Sequence, residues 1–327
     1  MLIDRRFSTI DAMRGIAAIA VMLFHVREDI GVDVPGGYLA VDLFFGLSGF
    51  VIAQAYQQRI RDGLGPREFM VRRAIRLWPM LALGAALGVV LHQGHAGMLF
   101  LLPNWLSPTL LFPANPPLWS LLFEMIAYLA FALALARGGV AALWALLGGS
   151  AAALAWYAGQ PLAFGDFGAD WRTLWAGLAR VSYSFTAGVL IYRLTRDWKP
   201  GASASMVAWL PSLAMICAFL VIGPQDNGAA LAAILIGVPS VVLAASCLHV
   251  PQRRLAAWLG DLSYPLYCIH VPILAVLAGA GETAMALACA SVVIASSALD
   301  RHVDRPARDW LTRLHRSNAD KRRRLPG

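Results

Sequence analysis

The chain has 327 residues, 59% of them hydrophobic and only 14% charged, with a formal net charge of +8. Soluble domains run near half apolar and a quarter charged, so this composition excludes an ordinary water-soluble enzyme and points to a polytopic membrane protein. Length alone would allow two domains, but apolar segments follow one another almost end to end and define one bundle.

In chain order, the first span is expected at 10–27. It includes MRGIAAIAVMLFHV (13–26), apolar except for Arg14 and His25. Eleven residues make about three helical turns, so both side chains project from one face, about 16 Å apart along the axis. The second span, 37–56, holds Asp42 and Ser48. The third, 77–93, follows FMVRRAIRLWP (69–79), in which Arg72, Arg73 and Arg76 stand at its mouth and Arg72 and Arg76 share a face. Segment 97–113 is apolar but broken by Pro103, Pro108 and Pro113, and reads as an outer loop in the membrane interface. The fourth span, 117–136, carries Trp119, Ser120 and Glu124. Spans follow at 139–158, 174–192, 206–223, 229–248, 262–279 and 283–299, each near the ~20 residues a bilayer demands. The fold class is thus an all-α bundle of about ten transmembrane helices. Residues 1–300 form the membrane domain and 301–327 a basic cytoplasmic tail.

Arginine placement sets the topology. With both termini cytoplasmic, the inner segments collect 23 of the 27 Lys+Arg, leaving Arg27 and Arg172 outside and Arg14 and Arg180 within spans. The positive charge is therefore a topology signal. The KRRR run at 321–324 reads as a solvated stop-transfer segment touching anionic lipid rather than a nucleic-acid site. Cys217, Cys247, Cys268 and Cys289 all fall within spans without metal spacing, so they read as packing residues and no metal site is expected. No cleavable signal peptide and no appended soluble domain are expected.

Ionisable groups at membrane depth are costly and mark function. In the assigned orientation His25 lies near the outer surface, Asp42 about 8 Å and Glu124 about 10 Å below it at helical rise. Either carboxylate is a candidate to bond one His25 nitrogen, fix the tautomer and leave the other nitrogen to take a proton. The plainer alternative is a buried ion pair with Arg180. On the inner side, guanidinium forks suit phosphate groups, so Arg72, Arg73 and Arg76 read as the site of a phosphorylated cytoplasmic ligand. In LGDLSYPLYCIHVP (259–272), Tyr264, Tyr267 and His270 form a drifting stripe, with His270 about 12 Å from the inner boundary. Arginines inside, His270 midway and His25 outside describe a path for an anionic head with a long thin arm, which coenzyme A fits.

These residues resemble the acyltransferase 3 family of integral membrane O-acyltransferases. The motifs that carry the likeness are STIDAMRGIA with the Arg14–His25 spacing, GGYLAVDLFFGLSGF (36–50), RRAIRLWP (72–79), PLWSLLFEMIAYL (117–129) and LGDLSYPLYCIHVP. The resemblance implies transfer of an acyl group, usually acetyl from acetyl-CoA as donor substrate with no tightly bound cofactor, onto a hydroxyl of an extracytoplasmic glycan or lipid-linked sugar. It implies an inner-membrane location. It makes Arg14 and His25 essential, with Glu124 or Asp42 beside them; gives Arg72, Arg73, Arg76, Tyr264, Tyr267 and His270 to the donor; and gives Trp119, Ser120 and Ser48 to the acceptor. Gly46 and Ala127 depart from the family pattern and are expected to alter cavity width. A proton-coupled transporter is the alternative reading of intramembrane charges, but such proteins often carry duplicated halves and none is visible here. A non-catalytic bundle locked by its charges is a second alternative.

Overall fold

The computed structural model describes residues 7–197 and 206–324; Arg5, Arg6 and Lys199, counted above in the topology, lie outside the described residues, as do the side chains of the KRRR run. Among the described residues the chain is helical, with no strand beyond one isolated bridge between Leu110 and Asp170. Nine helices of the described residues are long and apolar enough to cross a bilayer: α1 Ser8–His25, α2 Gly37–Arg61, α3 Pro66–His92, α4 Leu118–Leu135, α5 Val140–Ala158, α6 Trp171–Thr195, α8 Asn227–Cys247, α9 Arg253–Leu277 and α10 Glu282–Ser317. The expected span 206–223 is the shorter helix α7, Met206–Val221, about 24 Å at helical rise. Trp209 near its start bonds Gln252 before α9, and Phe219 near its end accepts from Gly36 N before α2, so it joins the inner and outer ends of the bundle. Segment 97–113 contains a single short turn, Ala96–Phe100, and leaves Phe100, Trp105 and Leu106 exposed, as an interfacial loop does.

Side-chain contacts fix the relative directions of the helices. Ser8 and Thr9 donate to the carbonyls of Val250 and Leu248. Two turns on, Gly15 abuts the backbone of Leu259, and Gly260 abuts Asp11. The α1 and α9 helices therefore run parallel, residue for residue, at an offset that places His25 beside His270. Here glycine is required by space: a Cβ on Gly15 would lie 2.6 Å from the Leu259 carbonyl oxygen. Small residues at such contacts let two backbones approach within a membrane. The α2 and α6 helices are likewise parallel, with Gly188 seated against the Gly46 carbonyl and 2.7 Å, for a Cβ, from Phe50 N. Gly46 thus serves helix packing against α6 and α8 and is not a wall of the cavity described below.

Prolines inside helices free carbonyls, and the fold finds donors for them. Pro272 lies within α9 and leaves the Cys268 carbonyl without its helical partner. Buried Asn115, from the loop before α4, donates to that carbonyl at 3.0 Å and to Gly84 of α3 at 3.2 Å. His92 reaches the Pro272 carbonyl at 2.8 Å. Cys268 and Cys289 are buried among helices and Cys247 is half-buried, whereas Cys217 is exposed on α7.

The last helix does not stop at residue 300. After a wide turn at Asp300–Asp304 it continues through the charged segment. That extension lies against the start of α3, where His315 Nε2 meets Glu68 Oε2 at 2.9 Å and Arg76 meets Asp304 at 3.5 Å.

A methyl group on Gly15 must push α1 from α9. Gly15→Ala is expected to lower stability by about 1–3 kcal/mol, the usual cost of overpacking. Gly148→Ala, where a Cβ meets nothing within 4 Å, is expected to change nothing. Thermal unfolding of the two variants in detergent checks both outcomes.

Candidate active site

His25 and His270 occupy equal heights on parallel helices, each seventeen residues from its helix start, about 25 Å at helical rise. His270 Nε2 lies 3.4 Å from His25 Nδ1. The sequence-based expectation of His270 midway along the path is corrected: α9 begins at Arg253, nine residues before the apolar stretch, which raises His270 to the level of His25.

Carbonyl oxygens only accept, so the ring contacts assign the protons. His270 Nδ1 lies 3.0 Å from the carbonyls of Leu266 and Tyr267 and donates to them, which leaves its Nε2 as an acceptor facing His25. His25 Nδ1 lies 2.8 Å from the Val21 carbonyl and donates there, with His270 Nε2 as a second acceptor. The proton on His25 is thereby held at Nδ1, and its Nε2 carries the free lone pair. His270 is wholly buried; His25 is exposed at the end of α1.

Neither expected carboxylate reaches this pair. Asp42 is corrected from a partner of His25 to a partner of Arg180: its two oxygens take Arg180 Nη2 at 2.6 Å and Nε at 3.1 Å, both residues wholly buried. Arg180 also donates to the carbonyls of Phe167 and Tyr38. Trp119 belongs to that same cluster, its ring 5.5 Å from the Arg180 guanidinium, and does not line the cavity. This buried pair, in which every guanidinium nitrogen and both carboxylate oxygens are hydrogen-bonded, ties α2, α6 and the loop before α6 together.

Glu124 lies deeper. Its Oε1 accepts from Ser48 at 2.7 Å and from the Tyr128 hydroxyl, and Tyr128 in turn accepts from Arg73 at 3.1 Å. Tyr128 was not among the residues picked from sequence, although its i+4 spacing from Glu124 signals a shared face. This network forms one wall of an internal cavity of about 160 Å³. Arg14, Arg73 and Arg76 line its inner mouth, and Ser48, Ser120, Glu124, Tyr264 and Tyr267 its length. Its outer end is closed where Tyr267 Oη meets Ser120 Oγ at 2.6 Å and donates to Pro117 at 3.1 Å. The Tyr267 ring packs 6.0 Å beneath the His270 ring.

Arg73 and Arg76 are shared with a wider cleft of about 950 Å³ at the inner face, which Arg72 also lines. Arg72 is additionally held by Glu68 at 2.7 Å. The arginines that were picked one by one from sequence thus connect two chambers.

Inside the all-helical bundle a basic mouth thus opens on a cavity that stops at Tyr267, beneath the imidazole pair. Residues 7–299 match the family model described as an acyltransferase domain, and the chain belongs to that acyltransferase 3 family. Its membrane-length helices make it a multi-pass membrane protein of that family. It is similar to the putative membrane-bound transacylase BcsY of Komagataeibacter xylinus, 26% identical over 79% of this chain and 70% of that protein. It is 32% identical to the exopolysaccharide production protein ExoZ of Rhizobium meliloti (strain 1021) over 34% of this chain and 38% of that one. Protein 2 in the picA locus of Rhizobium radiobacter is 43% identical over 25% of this chain and 44% of its own length. Apart from BcsY, the match therefore spans less than half of each of these relatives. No solved structure matches the chain.

If the Asp42–Arg180 pair is architectural, removing one partner strands a buried charge. Asp42→Ala or Arg180→Met alone is expected to cost about 3–5 kcal/mol, and the double variant Asp42→Leu/Arg180→Met to recover much of it. Thermal unfolding of the three purified chains checks the non-additivity.

Proposed function

We propose that the chain moves an acyl group, acetyl in the simplest case, from cytoplasmic acyl-CoA to a hydroxyl of an extracytoplasmic glycan or lipid-linked sugar in the cytoplasmic membrane. The observation that carries this reading is an imidazole with a free Nε2 above a cavity whose other end opens between arginines. The arginine asymmetry of the loops supports an orientation with that basic end in the cytoplasm. The relatives named for exopolysaccharide production and transacylation support a glycan acceptor and a membrane acyl transfer.

In this mechanism the phosphates of the donor rest among Arg72, Arg73 and Arg76 and the arm enters past Arg14. Arg14 stands about 16 Å inward of His25 at helical rise, so it guides the arm and does not polarise the reacting carbonyl. His25 Nε2 takes the proton of the acceptor hydroxyl as its oxygen attacks the thioester carbonyl carbon. The tetrahedral adduct collapses with cleavage of the C–S bond, and the imidazolium returns the proton to the leaving sulfur. The imidazolium keeps its Nδ1 proton on the Val21 carbonyl and His270 Nε2, so His270 takes the positioning role that a carboxylate was expected to fill. Passage of the arm from the cavity to His25 requires Tyr267 to turn away from Ser120 and Pro117.

The general base contributes about 10²–10⁴ in rate. His25→Ala is expected to lose acyl transfer to envelope polysaccharide by that factor while the chain still inserts, read by mass and NMR of the glycan. Full activity of an inserted His25→Ala chain would defeat the proposal. An acyl group trapped on His25 without acceptor would instead make Nε2 the nucleophile. Ser120→Leu fills the head of the cavity and is expected to cut transfer more than tenfold without loss of fold; the same glycan assay reads it, with thermal unfolding as the control.

A further inference from the structure

The extension of α10 beyond residue 300 lies past the residues that match the family, which end at 299. Hydropathy reads it as a solvated tail, yet it forms a wall of the inner cleft. It runs antiparallel to the first turns of α3, pinned at one end by His315 on Glu68 and at the other by Asp304 near Arg76. Between these ties lies the cleft of about 950 Å³, lined from α3 by Arg72, Arg73 and Arg76 and from the extension by Arg305, Arg308 and Arg316. That volume is at the upper end of the range for small-molecule and cofactor sites.

Six arginines face two acidic lining residues, Glu68 and Asp309, so the cleft is strongly basic. The extension's arginines are pre-positioned from behind. Arg305 is gripped by Asp261 and Asp300 at 2.6 Å, and Arg308 by Asp304 at 3.1 Å. Residues 308, 312 and 316 follow at i, i+4 and i+8, so Arg308 and Arg316 stand two turns apart on one face, with Thr312 between them. Two guanidinium rows facing each other across a cleft suit a ligand carrying several phosphates in different directions. The nucleotide end of coenzyme A bears a diphosphate and a separate phosphomonoester. A single row on α3 meets only one side of it.

We propose that the α10 extension supplies the second wall of the donor's nucleotide site, with Arg308 and Arg316 binding phosphate opposite Arg72, Arg73 and Arg76. This rests on the acyl-CoA reading above. Arg308 and Arg316 are then specificity residues for the nucleotide, remote from the acyl group and without influence on the arm.

The test is equilibrium binding to the full chain in phosphatidylcholine nanodiscs, with coenzyme A, dephospho-coenzyme A and pantetheine as probes. Arg308→Gln and Arg316→Gln are each expected to weaken coenzyme A about tenfold, as loss of a charged hydrogen bond does, and to leave pantetheine unchanged. Arg313→Gln, on the same helix but outside the cleft lining, is expected to bind as the unaltered chain. Arg316 makes no ion pair among the described residues, so its variant carries the test should Arg308→Gln fail to fold. Coenzyme A bound equally by the unaltered chain and both variants would overturn the proposal and leave the acyl-CoA reading standing. Equal weakening of pantetheine would overturn it as a structural effect. In parallel nanodiscs doped with phosphatidylglycerol, loss of that lipid's binding in the variants with unchanged coenzyme A affinity would overturn the proposal and make the cleft a lipid-headgroup site. An unaltered chain that binds no coenzyme A would overturn both readings.

Discussion

The close parallel contact of α1 with α9 governs the rest of the site. Gly15 and Gly260 remove the Cβ atoms that would hold the two helices apart, and the Ser8 and Thr9 hydroxyls anchor the start of the register. Once that register is set, equal helical rise carries His25 and His270 to the same height. A slip by one residue would rotate one imidazole about 100° away from the other. The chemistry at one end of the membrane is therefore decided by packing near the other end.

Two carboxylates that look alike along the chain serve different ends because their surroundings differ. Asp42 is wholly buried against Arg180, whose guanidinium packs near Trp119 and donates to two backbone carbonyls, and it lines no cavity wall beside Glu124. Glu124 faces a cavity and shares its oxygen with two hydroxyls, one of which reaches Arg73. A buried ion pair with filled hydrogen bonds gives rigidity; a carboxylate linked through hydroxyls to a mobile ligand channel shapes that channel. The histidine that both were candidates to orient is served by another histidine and by its own helix backbone.

The barrier between the cavity and the imidazole pair is polar. Tyr267 and Ser120 seal the cavity with hydrogen bonds rather than with packed hydrocarbon, and each can exchange its bond for one to a passing carbonyl or amide. A seal of that kind blocks water and protons when empty, yet yields to an arm that offers the same donors and acceptors. The basic cleft at the other end differs in kind, since Arg305 and Arg308 are fixed by carboxylates before any ligand arrives.

Hydropathy and charge along the chain were enough to determine the helices, because crossing a bilayer is a local demand on some twenty consecutive residues. They also determined that Arg14 and His25 share a face, since both lie on one helix. The polar beginnings of α9 and the charged end of α10 escaped that reading, because helices that continue beyond the hydrocarbon leave no apolar signature. Only the tertiary structure decided that Asp42 belongs to Arg180, that His270 stands beside His25, and that Gly46 lets α2 approach α6 and α8 rather than widening a cavity. Each of these depends on the register between helices far apart in the chain, and that register is set by steric fit at a few glycines, which no periodicity within one helix can express.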